Sequence, residues 1–203
     1  MGAFLSSVAV ISLSGVMMPG PTFSVTVGRG YHSQFAGIEV AAGHAIVEVP
    51  LMLLVYFGLA RFFEAVPVQI GLYLGGGSIL VWMGISMFRK RRQSFTETRE
   101  LPYNSVVAGA ITSAANPFFF LWWAAVGSML VMKSLAFGLS AFILLIVVHL
   151  SCDFGWLFFI SSLVYRTKRV WREGFRLGLM TACSLLLVGF GGWFIASGVR
   201  LAV

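Results

Sequence analysis

Charged residues are scarce in this chain, and their scarcity excludes a water-soluble protein. Asp, Glu, Lys and Arg make up only 10% of the 203 residues, whereas hydrophobic residues make up 59% and the mean hydropathy is +0.92. A soluble domain carries about 25% charged residues. No charged residue occurs within 1–28, 65–88, 101–132 or 177–199. Each of these gaps can supply the roughly 20 apolar residues that cross a bilayer, so we expect an integral membrane protein.

Cysteine is rare too, with Cys152 and Cys183 alone, both inside apolar runs. There is no Cys-x-x-Cys pair and no ladder of extracellular cysteines, which argues against a disulfide scaffold. The nucleotide-binding pattern Gly-x-x-x-x-Gly-Lys-Ser/Thr is also missing. We therefore predict a transporter without a cofactor, not an enzyme, and expect any energy source to be an ion gradient.

Apolar runs predict six transmembrane helices in a single transmembrane domain, 1–203. Two of these runs carry the acidic exceptions Glu39, Glu48 and Asp153. The first run lacks a preceding basic segment, so we interpret it as a membrane span and not a signal peptide. The predicted helices cover approximately residues 4–28, 37–60, 67–88, 105–131, 136–164 and 177–200.

Basic residues divide unequally between the two sides of this arrangement. With six spans, Arg61, Lys133 and Arg200 lie on one side and the other 11 of the 14 lie on the opposite side. The positive-inside rule makes the richer side cytoplasmic, which places both termini outside and the charged loop 89–104 inside. The net charge of +7 is then explained by topology and contact with anionic lipid, so we expect no nucleic-acid binding.

Helix-breaking residues interrupt one apolar run in each half of the sequence. Pro19, Gly20 and Pro21 interrupt the first predicted helix, and Asn116 and Pro117 interrupt the fourth. Proline removes a backbone donor, and the carbonyl groups that it frees must face protein or a wet cavity. We predict a discontinuous helix at Pro19–Pro21. At Asn116–Pro117 a simple kink, which single prolines commonly make in membrane helices, competes with a discontinuous helix.

A histidine and a carboxylate, four residues apart, follow each breaker in the next apolar run. The pairs are His44 with Glu48 and His149 with Asp153, and this spacing puts each pair on one helix face. Buried carboxylates in a membrane usually mark a transport pathway or a proton relay, although a polar pair that only joins helices is the alternative. Trp122 and Trp123 either line a pocket beside these groups or face lipid.

The two halves together predict an inverted repeat. Each half has three spans, an odd number, so a duplicated unit enters the membrane from opposite faces. Repeat one would cover about 4–88 and repeat two about 105–203. In this arrangement Glu48 and Asp153 lie at similar depths near the membrane midplane. Two further glycine spacings resemble close-packing motifs, namely Gly71 with Gly75 and Gly174 with Gly178.

With these residues in view, the chain resembles the LysE/RhtB family of small amino-acid exporters over nearly its full length. The resemblance rests on Pro19-Gly20-Pro21, on Ala42-Gly43 with an acid early in the second span, on Gly75-Gly76-Gly77, and on Thr112-Ser113-Ala114-Ala115-Asn116-Pro117. It implies export of amino acids or related metabolites, exchanged against an ion gradient. Two positions depart from the family pattern: Phe118 stands where Lys often follows Asn-Pro, and His44 stands where Asp commonly follows Gly.

We therefore predict a proton-coupled exporter in the cytoplasmic membrane. The expected site residues, for substrate binding or coupling, are Pro19, Gly20, Pro21, His44, Glu48, Asn116, Pro117, His149 and Asp153. The partners are a small-molecule substrate and the bilayer, and a homo-oligomer is compatible with both.

Two other functions remain open from the residues alone. One is export of a divalent metal ion, because imidazole, thiolate and carboxylate are competent ligands; its ligands would be His44, Glu48, His149, Cys152 and Asp153. The other, more remote, is a membrane carrier of thiol redox equivalents, which needs a cysteine pair able to form a disulfide.

Overall fold

Only helices and their connections occur among the residues that the structure, a computed structural model, describes: 1–17, 20–59, 62, 65–91, 104–170 and 173–203. Apolar segments in lipid must satisfy their backbone groups internally, and a helix does so within one segment. The α-helices are α1 Gly2–Val16, α2 Pro21–Gly30, α3 Ala36–Tyr56, α4 Val66–Lys90, α5 Ser105–Ala114, α6 Pro117–Trp122, α7 Ser128–Leu135, α8 Leu139–Thr167 and α9 Glu173–Ala202.

Four of these helices, α3, α4, α8 and α9, are long and apolar enough to cross a membrane. The α1–α2 pair passes the same test as a unit bent by 75°, which makes up to five spans among the described residues. The predicted span 105–131 is instead divided among α5, α6, a π-helical turn and α7. Six spans, their orientation and the position of both termini remain predictions, and most of the loop 89–104 lies outside the described residues.

The first predicted break is present between α1 and α2. Gly20 is extended, with φ −145° and ψ −168°, and Pro21 is the first residue of α2. Proline suits this position because its fixed φ fits a helix and its missing N–H has no helical partner there. Pro19 lies outside the described residues.

The second interruption is also a break, between α5 and α6. Asn116 is extended, with φ −100° and ψ 102°, and its side-chain oxygen accepts a hydrogen bond of 3.1 Å from the Phe118 N–H. Pro117 then begins α6. A π-helical turn, Trp123–Gly127, follows directly. π-turns of this kind often lie at functional sites.

Glycines bring pairs of helices together, but not the two glycine pairs whose spacing resembles a close-packing motif. Gly71, Gly75, Gly174 and Gly178 have open space where a side chain would be, so the suggested close-packing role of these two spacings is wrong. The close approaches lie elsewhere: α3 meets α5 at Gly43 and Gly109, and α4 meets α9 at Gly77, Gly84 and Gly191. Helical spacing alone does not say which face of a helix contacts a neighbour.

The helix contacts follow a pattern that two related halves would have. α3 packs against α5, and α8 packs against α1; α3 also packs against α8, and α4 against α9. If α1–α4 correspond to α5–α9, the α3–α5 contact is equivalent to the α8–α1 contact. The α3–α8 and α4–α9 contacts then each join two equivalent helices. The inverted repeat itself stays a prediction.

Candidate functional site

A cavity of about 290 Å³ lies where the two helix breaks face α3 and α8. Its lining comes from both breaks, from the polar faces of α3 and α8, and from aromatic residues of α6 and α9. Pro117 is buried in α6 but does not line the cavity. The predicted site residues that do line it are Gly20, Pro21, His44, Glu48, Asn116, His149 and Asp153.

The two predicted histidine–carboxylate pairs meet at a single oxygen atom. Oε1 of Glu48 lies 3.2 Å from Nε2 of His44 and 3.0 Å from Nε2 of His149. Nε2 of His149 also lies 3.5 Å from Oδ2 of Asp153. Glu48 is only 1% exposed and Asp153 only 3%. The sequence predicted two separate pairs on two helices, and the packing of α3 against α8 joins them into one cluster.

Trp123 completes the contacts of this oxygen. Its indole N–H donates a hydrogen bond of 3.1 Å to Oε1 of Glu48, and the side chain is fully buried. Trp122 lines the same cavity, with its ring 5.7 Å from that of His149. Of the two interpretations that the sequence left open for these tryptophans, the pocket wall is therefore correct.

Two serines that sequence reasoning missed hold the other nitrogen of each histidine ring. Nδ1 of His44 lies 2.6 Å from Oγ of Ser113, on α5. Nδ1 of His149 lies 2.7 Å from Oγ of Ser12, on α1. Both serines are buried. The only signal in the sequence is a small polar residue within an apolar helix, which is common in membrane proteins and predicts no particular partner.

Two carboxylate oxygens in the cluster lack a hydrogen bond within the described part of the chain. They are Oε2 of Glu48 and Oδ2 of Asp153, each fully enclosed. A buried polar group without a partner is costly, and a buried charge more so. The two carboxylates therefore suit a cationic guest, which can reach these enclosed oxygens only if neighbouring side chains move. An ammonium group and a metal ion both fit that description.

Three of the five suggested metal ligands lie close enough together to bind one metal ion. Ligand atoms of His44, Glu48 and Asp153 all lie within 4.8 Å of one another. Cys152 lies outside this group. It lines a different, apolar groove of about 590 Å³, together with Leu13 of α1 and other residues of α8. Its Sγ lies 3.9 Å from the Ala9 carbonyl oxygen.

Comparison with known proteins identifies the family. The model of the family described as "LysE type translocator" matches residues 13–198. The chain belongs to the LysE family. The resemblance noted from Pro19-Gly20-Pro21 and Asn116-Pro117 is thereby confirmed. This LysE-family protein is a transporter and not an enzyme, and it resides in the cell membrane as a multi-pass protein.

Two curated proteins illustrate the similarity. The "Putative amino acid efflux protein YcgF" of Bacillus subtilis (strain 168) is 25% identical over 206 aligned residues, which cover 98% of each chain. The "Chemotactic transduction protein ChpE" of Pseudomonas aeruginosa is 32% identical over 116 residues, covering 55% of this chain and 57% of that protein. No solved structure matches the chain.

Both departures from the family pattern, His44 and Phe118, line the cavity of this LysE-family chain. Phe118, at the position after Asn-Pro, lines the cavity. Its ring centroid lies 5.0 Å from that of Trp193 and 5.2 Å from that of Phe194, both on α9. The residue therefore adds apolar surface to the site where a lysine would add a positive charge.

Proposed function

We propose that this translocator exports amino acids or similar small zwitterions by proton-coupled alternating access. One observation carries the proposal: a single cavity joins both helix breaks to Glu48 and Asp153, two buried carboxylates that each keep an oxygen without a hydrogen bond among the described residues. Transporters with inverted repeats place their substrate at such a junction of discontinuous helices.

The substrate ammonium group would bind between the two carboxylates. Oε2 of Glu48 and Oδ2 of Asp153 are enclosed and have no hydrogen bond among the described residues. An ammonium group offers three N–H donors in a compact cation. Binding it would satisfy both oxygens at once, which is a stronger reason for affinity than either oxygen alone.

The substrate carboxylate would bind at the breaks. The first residues of α2 line the cavity, and the N-terminus of a helix carries partial positive charge and free N–H groups. Pro19, Gly20 and Pro21 would shape this end, and Asn116 and Pro117 would shape the opposite break. The substrate-binding role of these residues is part of the proposal.

Proton coupling would use the same carboxylates. Glu48 and Asp153 would exchange protons with the two sides of the membrane in turn. His44 and His149 would act as relays or substrate contacts, since their Nε2 atoms lie 3.0–3.5 Å from carboxylate oxygens. Competition between proton and ammonium for one pair of carboxylates couples the two fluxes, because binding of either disfavours the other.

Efflux from proteoliposomes with an imposed pH gradient tests this function. Glu48→Gln and Asp153→Asn should abolish stimulation by the gradient, because each replaces the ionisable group with an amide of similar shape. Glu39→Gln is the matched control, since Glu39 is exposed on the same helix, α3. If both cavity variants export at wild-type rate with wild-type proton dependence, the coupling role is wrong.

Metal export is the second candidate, favoured by the ligand geometry of His44, Glu48 and Asp153. A thermal-shift panel on the purified protein separates the two cargoes. We expect amino acids to stabilise the protein in a way that depends on Glu48, and Zn²⁺, Mn²⁺ and Cd²⁺ salts to have no such effect. Stabilisation by a metal salt and by no amino acid would show that the cargo is a metal ion.

A further inference from the structure

We propose that the cavity selects amino acids with an uncharged, apolar side chain, aromatic ones included. This inference rests on the proposed function, because it names the substrate class of that same site. The ammonium group would contact Glu48 and Asp153, and the side chain would contact the aromatic surface formed by Phe118, Trp193 and Phe194, which we call the aromatic wall.

Charge in the cavity disfavours an acidic side chain. The described residues that line it include two carboxylates, Glu48 and Asp153, and neither Lys nor Arg. The histidines that line the cavity already pair with Glu48 and Asp153, so a second substrate carboxylate would lose its hydration without meeting an unpaired cation, which is costly in a buried site. A basic side chain would meet only rings at the aromatic wall, and a cation–π contact of about 0.5–2 kcal/mol returns less than the hydration that a buried charge loses.

The aromatic wall offers the complementary apolar surface. Phe194 is buried against Phe118 and Tyr73, with ring centroids 5.2 Å and 5.9 Å apart. Trp193, next to it, is half exposed and lines the cavity, so its ring has free surface for a guest. Aromatic rings gain from offset or edge contacts with other rings, and apolar area removed from water adds to the gain.

The size of the cavity agrees with one small metabolite. Its volume of about 290 Å³ corresponds to that of about ten water molecules in the liquid. Pockets for drug-sized ligands begin near this value. A single amino acid with a branched or aromatic side chain would occupy most of the space and exclude water from the carboxylates.

Ligand-induced thermal shifts on the purified protein test the selectivity, with leucine, phenylalanine, glutamate and lysine as probes. We expect leucine and phenylalanine to bind at least about tenfold more tightly than glutamate or lysine. Trp193→Ala should weaken binding of phenylalanine by about three- to tenfold, the effect of losing one aromatic contact. Trp82→Ala is the control, because Trp82 is similarly exposed but does not line the cavity.

Phe118→Lys provides an independent check, since it adds a cation to the aromatic wall and should raise the affinity for glutamate relative to leucine. Equal or tighter binding of glutamate or lysine by the wild-type protein would overturn the selectivity, as would a Trp193→Ala variant that binds phenylalanine as tightly as the wild type does. In either case proton-driven export of the preferred amino acid would leave the proposed function intact. Absence of binding by every amino acid would defeat both.

A second, independent observation concerns the two histidines, whose serine partners differ. The hydroxyl of Ser113 lies 2.7 Å from the Gly109 carbonyl oxygen as well as 2.6 Å from Nδ1 of His44. A carbonyl oxygen only accepts, so the single hydroxyl proton of Ser113 goes to Gly109, and Nδ1 of His44 must donate its own proton to Ser113. His44 therefore keeps a proton on Nδ1.

Ser12 has no such constraint. Within the described residues its hydroxyl has one hydrogen-bond partner, Nδ1 of His149, so it can donate to that nitrogen or accept from it. In both cases Nε2 of His149 can still donate to Glu48. Ser12 lines the cavity, whereas Ser113 is absent from its lining.

We infer that His149, and not His44, is the histidine that gains and loses the transported proton. Ser12 would orient the His149 ring and pass its proton to the cavity. The proton on Nδ1 of His149 would pass to Oγ of Ser12 as the hydroxyl proton of Ser12 passes to water in the cavity. His149 then changes from cation to neutral ring, and one proton leaves with the solvent.

The charged and titratable groups that face His149 are Glu48 and His44 from α3 and Asp153 from α8. The other elements packed around it, α1, α6 and the π-helical turn, contain no charged residue. Deprotonation of His149 therefore changes the charge balance of one closed group of four side chains, so it alters the affinity for an ammonium cation directly.

Paired serine variants test this assignment in the proteoliposome assay. Ser12→Ala should remove most of the stimulation by a pH gradient while substrate binding persists, and Ser12→Thr, which keeps the hydroxyl, should restore it. Ser113→Ala should weaken transport but keep the stimulation ratio. Ser14→Ala, on the exposed face of α1, is the control. Full stimulation in Ser12→Ala, or its loss in Ser113→Ala alone, would overturn the assignment.

Ring-nitrogen NMR gives a second measurement if a variant does not fold. With ¹⁵N-labelled histidine in the wild-type protein, signals assigned through His44→Gln and His149→Gln should show His149 titrating and His44 remaining protonated on Nδ1. The reverse pattern would refute the inference. If wild-type transport shows no stimulation by a pH gradient, the proposed coupling fails, which is distinct from failure of the histidine assignment alone.

Discussion

The crossing of α3 and α5 predicts that one added methyl group should disable transport. A Cβ atom at Gly43 would clash with the Val106 carbonyl oxygen and lie 2.8 Å from the Ala110 nitrogen. A Cβ atom at Gly109 would clash in the same way with the Val40 carbonyl. Real Cβ contacts lie at 3.4–4 Å, so Gly43→Ala or Gly109→Ala must push the two backbones apart by at least about 0.6 Å.

This displacement falls on the polar cluster. Gly43 is adjacent to His44, and Gly109 precedes Ser113 by one helical turn and accepts its hydroxyl proton. The contact of 2.6 Å between His44 and Ser113 joins the two helices at this level. Separation of the helices therefore lengthens that contact and removes the partner that orients the His44 ring toward Glu48.

The energetic consequence can be bounded. Overpacking of a tight contact costs about 1–3 kcal/mol, and replacing glycine in a helix returns about 0.5–1 kcal/mol. Loss of a hydrogen bond to a charged group costs about 1.5–3 kcal/mol. We expect a net destabilisation of about 1.5–5.5 kcal/mol. The lost hydrogen bond alone acts on the site, and its roughly 1.5–3 kcal/mol corresponds to a fall in transport of about ten- to a hundredfold, since each 1.4 kcal/mol is a factor of ten.

Thermal unfolding in detergent and transport in proteoliposomes measure the two effects. Gly75→Ala and Gly178→Ala are matched controls, because they make the same change in a helix with open space at the Cβ position. The controls should be as stable as the wild type or slightly more so. Wild-type transport and stability in Gly43→Ala would refute the close crossing of α3 and α5.

Three further variants test the site. Trp123→Phe keeps the ring but removes the N–H that donates to Glu48, so substrate affinity in a binding titration should fall by about tenfold. Asn116→Ala removes the cap on the Phe118 N–H and should lower stability by about 1 kcal/mol in thermal unfolding, whereas Asn116→Asp, which keeps the acceptor, should not. Alkylation of Cys152 and Cys183, both free thiols, should leave proteoliposome transport intact; loss of transport without unfolding would revive the thiol-carrier hypothesis.

The sequence by itself determined the solvent and the local chain geometry. Long charge-free stretches identify lipid as the surroundings, because burial of charge in a bilayer is costly. The breaks at Gly20–Pro21 and Asn116–Pro117 follow from residues that cannot continue a helix. The family followed from these same short motifs. Each of these inferences depends on one residue or on one stretch of neighbouring residues.

Only the tertiary structure decided which groups meet. The sequence placed His44 with Glu48 and His149 with Asp153, but the convergence of both histidines on one oxygen of Glu48 depends on how α3 and α8 pack. The partnership of Ser12 and Ser113 with these rings likewise crosses helices far apart in sequence.

Composition and helical spacing describe one helix at a time, so they leave the rotation of each helix against its neighbours undetermined. The glycines demonstrate this. Gly71 and Gly75 have a close-packing spacing but face open space, whereas Gly43 and Gly109 lie where two backbones touch. Rotation about the helix axis is settled by the packing of all the helices together, and that rotation assembled the polar cluster.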